Sequence, residues 1–162
     1  MATVLRKILV SAALALTASA SLSVAAAAAS AQADTRASDS SISLTLDPNY
    51  CLANDYGHSS SVYTEHCNSA KPGQHWTVEG DRIALALDPA WCLANDYGSS
   101  GAVYVERCNS AKPGQHWTVN GDRIALTLDS NYCLANDYGH SSSVYTEHCN
   151  SAHPGQHWTV KD

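Results

Sequence analysis

The sequence predicts an all-β domain made of three copies of one unit, and three observations carry that expectation. Tyr50 to Val78 (YCLANDYGHSSSVYTEHCNSAKPGQHWTV) returns from Trp91 to Val119 and again from Tyr132 to Val160, with Cys51, Cys92 and Cys133 in one register 41 residues apart. Inside each unit the apolar pattern has the period of two that strands require, with no stretch of helical period. The units fill the chain from Ser41 to Asp162. Three stacked copies, none able to bury its apolar face alone, point to a closed three-fold object rather than an open solenoid with capping repeats.

Ahead of this region, Arg6 and Lys7 precede an uncharged apolar run from Ile8 to Ala29, and Ala31-Gln32-Ala33 supplies an A-x-A cleavage pattern. That three-part arrangement predicts a secretory signal peptide over residues 1–33, and so an exported, extracellular protein. Residues 34–40 are small and polar and read as a disordered leader. Of 9 Lys and Arg the remainder keeps 7, with all 15 acids, for a net charge of −8. Such an acidic surface argues against nucleic acid or an anionic membrane as partner, and no stretch favours membrane insertion.

The elements follow in order, taking the middle unit as the example. Ile83, Leu85 and Leu87 alternate with small residues as a first strand, as do Ile42, Leu44 and Leu46 one unit earlier. Asp88-Pro89-Ala90 reads as a turn, and Trp91 to Ala94 as a second strand ended by Asn95-Asp96-Tyr97-Gly98. Val103 to Cys108, rich in β-branched and aromatic residues, is the third strand. A loop from Asn109 to Gly114 leads to a fourth, Gln115 to Val119, which Asn120-Gly121 turns back toward Arg123. Four strands per unit give twelve in one domain, with repeats over 41–81, 82–122 and 123–162.

Six cysteines fall two to a unit: Cys51 and Cys67, Cys92 and Cys108, Cys133 and Cys149. In an exported chain they form a disulfide framework. Three-fold repetition leaves pairing within each unit or pairing between successive units. The former is favoured, because each bridge then restrains its own unit by about 3 kcal/mol on the loop-entropy model. The spacing lacks the close Cys/His clusters of a zinc site.

The Trp and Val of each Gln-x-Trp-Thr-Val strand share one face, which places Trp76, Trp117 and Trp158 in the common core. Gln74, Gln115 and Gln156 are expected to bond nearby backbone. His75, His116 and His157 alternate with the core side and are expected in solvent. The eight histidines assemble no metal site, and no cofactor is implied. Near the cysteines each unit offers polar groups suited to vicinal hydroxyls and an aromatic face suited to a sugar's C–H side. These candidate carbohydrate-binding residues are Asn54, Asp55, Tyr63 and Asn68 in the first unit, Asn95, Asp96, Tyr104 and Asn109 in the second, and Asn136, Asp137, Tyr145 and Asn150 in the third. A set copied three times with swaps tolerated lacks the asymmetric acid, base and nucleophile of an active site, so no enzyme is expected.

The pattern C-L-x…G…V-Y…C-N…Q-x-W, repeated three times at this spacing, resembles the ricin-type (QxW) β-trefoil lectins, and most of all the small secreted actinomycete members such as actinohivin. The resemblance implies a β-trefoil: a six-stranded barrel capped by a hairpin triplet, with up to three weak glycan sites acting multivalently on cell-surface or polysaccharide glycans. It also implies that the Tyr four residues before the second cysteine, and the Asn after that cysteine, contact sugar. The chain departs from the family at the sugar-binding Asp two residues after the first cysteine, where it carries Ala53, Ala94 and Ala135. Glu65, Glu106 and Glu147 stand where apolar or aromatic residues are usual. A protein-binding trefoil of the secreted-inhibitor kind, or a trefoil with no sugar site, is the alternative. Unit two differs from its neighbours at Trp91, Ser99, Val105 and Arg107, where units one and three share Tyr50/Tyr132, His58/His140, Thr64/Thr146 and His66/His148. The expectation is therefore that lobe two binds more weakly or differently, with Arg107 adding a charge beside Glu106.

Overall fold

The fold is described from a computed structural model, which covers residues 39–56, 59–96, 101–138 and 141–162. The expected signal peptide, most of the expected leader, and His58, Ser99 and His140 lie outside the described residues. The strands are β1 (Ser41–Leu44), β2 (Tyr50–Asn54), β3 (Val62–His66), β4 (Trp76–Glu79), β5 (Arg82–Leu85), β6 (Asp88–Asn95), β7 (Val103–Arg107), β8 (Trp117–Asn120), β9 (Arg123–Leu126), β10 (Tyr132–Asn136), β11 (Val144–His148) and β12 (Trp158–Lys161). The fourth strand of each unit begins at its tryptophan. The Pro-Gly-Gln before it forms a one-turn 3-10 helix, at Pro72–Gln74, Pro113–Gln115 and Pro154–Gln156, with the proline where no N–H is needed.

The strands form three four-stranded antiparallel sheets, ordered β12-β1-β2-β3, β4-β5-β6-β7 and β8-β9-β10-β11. Each sheet joins the last strand of one sequence unit to the first three of the next, so the sheet is offset from the repeat by one strand. Local pairing explains the offset. Between β4 and β5 only Gly80 and Asp81 intervene, and between β8 and β9 only Gly121 and Asp122. Gly80 (φ 58°) and Gly121 (φ 61°) supply the left-handed conformation that such tight hairpins require. Asn120 itself stays in the ladder opposite Arg123, one position short of the expected turn. The chain ends copy this pairing without any connection: Ile42 lies opposite Val160 and Leu44 opposite Trp158, as Ile83 lies opposite Val78 and Leu85 opposite Trp76.

Backbone bonds close the ring. Ser40 and Trp76 exchange two, at 2.7 and 2.8 Å, and the Trp117 and Trp158 N–H groups donate to the Asp81 and Asp122 carbonyls at 2.7 Å. Six strands (β1, β4, β5, β8, β9, β12) thus form a barrel, and the hairpins β2–β3, β6–β7 and β10–β11 cap it. The caps are sewn to one another by N–H bonds from Thr64 to Ser142 O (2.8 Å), Val105 to Ser60 O (2.8 Å) and Thr146 to Gly101 O (2.7 Å). This is the β-trefoil the sequence predicts. Trp76, Trp117 and Trp158 are buried at its centre with Ile42, Leu52, Ile83, Leu93, Ile124 and Leu134.

The apolar alternation stops sooner than the sequence implies. Leu46, Leu87 and Leu128 are 60–65% exposed, because the chain turns immediately after Leu44, Leu85 and Leu126. In the middle unit the turn lies at Ala86-Leu87, and Asp88-Pro89-Ala90 already belongs to β6, after a register shift at Ala84/Leu85.

The disulfides are Cys51–Cys67, Cys92–Cys108 and Cys133–Cys149, each within its own unit. Each ties the start of a cap hairpin to the chain just beyond its end. Replacing both Cys92 and Cys108 by Ser is expected to cost about 3 kcal/mol, the entropy of reopening that loop in the unfolded chain. Urea unfolding checks this, and an unchanged midpoint would show that hairpin pairing alone restrains the lobe.

Candidate carbohydrate site

Residues directly opposite each other in an antiparallel pair share a face. Ala53 lies opposite Tyr63 and Cys51 opposite Glu65, so Tyr63 and Glu65 stand side by side on one face of the first cap hairpin. Tyr50 lies opposite His66 and Leu52 opposite Thr64 on the other face. The same two faces recur on β6–β7 and β10–β11.

On the first face the carboxylate of Glu65 accepts from Gln74 Nε2 at 2.9 Å and from Lys71 Nζ. Gln74 Nε2 also donates to His66 O at 3.0 Å, while its Oε1 accepts from Asn68 N at 2.7 Å. Gln115 and Gln156 repeat these contacts. The buried glutamine of the QxW motif therefore locks the 3-10 turn against the cap hairpin, as expected, and fixes the glutamate as well. Partial burial alone would raise the Glu65 carboxyl, but the hydrogen bonds from Lys71 and Gln74 and the Lys71 charge hold it below its ordinary range; Glu106 behaves alike with Lys112 and Gln115. In the third lobe His153 takes the lysine's place, with Nδ1 3.4 Å from Glu147.

The tyrosines sit in the field of these acids. The Tyr63 phenol is raised first by partial burial, then by the charges of Glu65 and Asp55, with Lys71 opposing. Tyr104 feels Glu106 and Asp96, and Tyr145 feels Glu147 and Asp137, in the same order of causes. Each lobe thus gathers one half-exposed tyrosine and two carboxylates on a disulfide-stapled hairpin. Asp55 and Asp96 are exposed, and Asp137 is half-buried, with its Oδ2 3.4 Å from Ser141 Oγ.

The remaining predicted residues are placed differently. Asn54, Asn95 and Asn136 are buried, and their side-chain amides face inward. Asn54 Nδ2 donates to Ser59 O and Ser61 O, Asn95 Nδ2 to Ala102 O and Thr146 Oγ1, and Asn136 Nδ2 to Ser141 O, Ser143 O and Thr64 Oγ1. They position the cap loops. Asn68, Asn109 and Asn150 are exposed, each folding a turn by accepting from the backbone N–H two residues on, at 2.9–3.0 Å. Asn68 lines a shallow depression of about 690 Å³ with Glu65 and Lys71, a lining that does not include Tyr63. Glu65 joins the two groups. Sequence reading left the glutamates and lysines out of the site, although their two-residue step from the tyrosine placed Glu65, Glu106 and Glu147 on its face.

Two further expectations are corrected. His75, His116 and His157 are half-buried rather than solvated: their Nδ1 atoms lie 2.5–2.8 Å from Asp39, Asp81 and Asp122, and their Nε2 atoms 2.9–3.1 Å from the Ser69, Ser110 and Ser151 carbonyls. The barrel's tight turns bring Asp81 and Asp122 beneath the 3-10 turns, and the segment before β1 brings Asp39 to the equivalent place, contacts invisible in one unit alone. The His116 and His157 bonds in turn hold Asp81 and Asp122 below the ordinary carboxylate range. Arg107 does not stand beside Glu106. Strand alternation puts it on the other face, its guanidinium 5.2 Å from the Trp91 ring centre, where the other lobes stack Tyr50 on His66 and Tyr132 on His148 at 4.5 Å. Among the described residues no group of three or more His, Cys, Asp or Glu is placed to hold a metal.

Against known proteins, the ricin-type beta-trefoil lectin domain matches residues 16–117 and 85–162. No curated protein matches the chain by sequence. Several solved structures share its fold. An agglutinin from Abrus precatorius is 18% identical with a TM-score of 0.65, over 80% of this chain and 48% of that one. The β-trefoil lectin of the Vibrio vulnificus hemolysin/cytolysin, solved with N-acetyl-D-lactosamine bound, is 18% identical with a TM-score of 0.62, over 76% and 93%. The C-half of an earthworm R-type lectin, in complex with GalNAc, is 16% identical with a TM-score of 0.59, over 76% and 98%. The chain spans only 17% of a mosquitocidal holotoxin and 22% of GalNAc-T7, which share its fold with TM-scores of 0.68 and 0.62. Three-fold repetition, trefoil topology and a family match across most of the sequence agree: the chain belongs to the ricin-type β-trefoil lectin domain family.

Proposed function

We propose that the chain is an exported, non-enzymatic carbohydrate-binding module with one weak glycan site on each lobe, its affinity arising from several lobes engaging one branched or surface-displayed glycan. The observation that carries this is the three-fold recurrence of a half-exposed tyrosine between two carboxylates, on hairpins held rigid by a disulfide and a buried glutamine. The ring offers a face to a sugar's C–H side, and the glutamate held by the buried glutamine accepts from vicinal hydroxyls without reorganising. The lectins that share the fold bind sugars, and the Val-Tyr…Cys-Asn pattern resembles that of the small actinomycete members, although Ala53, Ala94 and Ala135 keep their specificity from carrying over. On this face lobes one and two share Lys71 and Lys112, and lobe three, with His153, is the different one. The substitutions that set lobe two apart at Trp91, Val105 and Arg107 lie on the opposite face.

A glycan array on the intact protein, followed by Tyr63→Ala, Tyr104→Ala and Tyr145→Ala, tests the reading. Removing two of the three tyrosines is expected to lower avidity for an immobilised multivalent glycan by about a hundredfold, with single-site binding of the last lobe retained. An array without hits, or avidity untouched by all three changes, refutes it.

A further inference from the structure

The opposite face of the first and second cap hairpins opens into a cleft between neighbouring lobes. One cleft, of about 420 Å³, lies between Leu44, Asp47 and Tyr50 of the first lobe and Tyr138 and Ser141 of the third. Another, of about 380 Å³, lies between Leu85, Asp88 and Trp91 of the second lobe and Tyr56 and Ser59 of the first. The two are copies: Leu44, Asp47 and Tyr50 become Leu85, Asp88 and Trp91 one repeat on, and Tyr138 and Ser141 answer to Tyr56 and Ser59. The third copy would include positions within 97–100, outside the described residues.

From this repeated construction we infer that the inter-lobe clefts are a second class of carbohydrate site, each taking one neutral pyranose ring. The inference rests on the glycan-binding reading of the chain but uses the hairpin face that Tyr63, Tyr104 and Tyr145 do not occupy. Each cleft has an apolar floor (Leu44 or Leu85), an aromatic residue from each of two lobes, and one carboxylate, the amphipathic lining a pyranose fits with its C–H side on a ring and its hydroxyls on the acid. A volume near 400 Å³ lies at the small end of ligand pockets, which run from about 300 to 1,000 Å³, and suits one sugar ring. Asp47 and Asp88 are oriented by accepting from the backbone N–H two residues on, at 3.4 and 3.3 Å. Neither lining includes Lys or Arg; in the first cleft Asp47 therefore repels a carboxylate-bearing or phosphorylated sugar, while in the second Arg107 stacks on Trp91, 5.2 Å from its ring centre, and offsets the charge of Asp88.

The clefts differ in polarity. In the first, Thr64 Oγ1 accepts from Asn136 at 3.1 Å; Val105 takes its place in the second, where tryptophan also replaces tyrosine. Two of the changes that distinguish unit two in sequence, Trp91 and Val105, therefore converge on one cleft. They make it the more apolar of the two, matched to a sugar carrying an acetamido methyl.

Trp91 reports on this cleft by itself, since it is half-exposed while Trp76, Trp117 and Trp158 are buried. The intact protein is titrated with D-mannose, D-galactose and N-acetyl-D-galactosamine while the four indole N–H signals and the tyrosine ring signals are followed by NMR. The expected result is saturable movement of the Trp91 signal at millimolar sugar, strongest with the acetamido sugar. Asp88→Asn, which keeps the acceptor for Ala90 N–H, is expected to weaken that response about tenfold. A combined Tyr63→Phe, Tyr104→Phe, Tyr145→Phe variant is expected to leave it unchanged. Movement of Tyr63, Tyr104 and Tyr145 with Trp91 still overturns the clefts and leaves the lobe-face sites standing. Stillness of all four overturns both. A Trp91 response that survives Asp88→Asn intact, or vanishes in the combined tyrosine variant, also overturns the cleft site.

Discussion

Replacing Trp117 by Ala is expected to leave little folded protein at room temperature. The side chain is 1% exposed in the barrel centre, and a tryptophan removed from such a place costs about 3–5 kcal/mol through lost contacts and the cavity left behind. It is also a connector: Nε1 donates to Leu93 O in the cap at 2.9 Å, and Trp76 and Trp158 do the same for Leu52 and Leu134 at 3.0 and 2.9 Å. Losing the indole leaves that buried carbonyl unpaired, a further cost of about 1–3 kcal/mol. Together these approach the whole stability of an ordinary domain, about 5–15 kcal/mol. Trp117→Phe keeps most of the packing and loses mainly the hydrogen bond, so it is expected to unfold at a urea concentration well above the Ala variant. Coincident midpoints would show that the bond between barrel and cap, rather than core volume, is what the tryptophan contributes.

The inward tryptophans were legible in the sequence because they follow from strand alternation, and the disulfide partners because three-fold repetition and loop entropy favour pairing within one unit. What alternation cannot show is where it ends. Leu87 continues the pattern of Ile83 and Leu85 on paper, but the chain turns at Ala86-Leu87 and leaves it in solvent. Contacts between units were equally hidden. Asn136 reads as a sugar-binding candidate, yet its amide donates to Thr64 Oγ1 of the first unit at 3.1 Å. The Asp81–His116 and Asp122–His157 pairs join residues 35 apart, brought together only when the barrel closes. Arg107 is the instructive case. Tyr and His in units one and three change together to Trp and Arg in unit two, and Trp91 lies directly opposite Arg107 in the ladder. That paired exchange was visible in the sequence and marked two residues stacked on one face, away from Glu106.

Each cap hairpin therefore presents two surfaces that answer to different parts of the sequence. The face of Tyr63, Tyr104 and Tyr145 depends on its own unit's Pro-Gly-Gln turn, through Gln74, Gln115 or Gln156. The face of Tyr50 and Trp91 meets the loop of the preceding lobe, so its lining depends on closure of the whole trefoil. Damage to one turn should then silence one lobe face, whereas damage to barrel closure should remove every cleft.

Gly114→Ala is expected to produce the first kind of damage at a large cost. A Cβ on Gly114 would stand 2.0 Å from Asn95 O and 3.0 Å from its carbonyl carbon; on Gly73 and Gly155 it would stand 1.8 Å from Asn54 O and Asn136 O. These glycines are there for space, since the left-handed conformation belongs to Gly80 and Gly121 instead. The obstacle is backbone at the end of β6, which cannot rotate aside. To admit the methyl group, the 3-10 turn must lift, drawing Gln115 away from Asn109 N, Glu106 and Arg107 O, its partners at 2.7, 2.8 and 3.0 Å. Overpacking of this kind costs about 1–3 kcal/mol, and more where backbone must shift, so at least about 3 kcal/mol is expected here. Gly80→Ala is the control: nothing lies within 4 Å of the added methyl, leaving only left-handed strain of about 1–2 kcal/mol. Urea midpoints of the two variants, read beside glycan binding by lobe two, decide the point. Equal midpoints would mean the turn yields easily; a lower midpoint for Gly114→Ala, with lobe two silent and lobes one and three still binding, ties the close glycine approach to the placement of Glu106 and Tyr104.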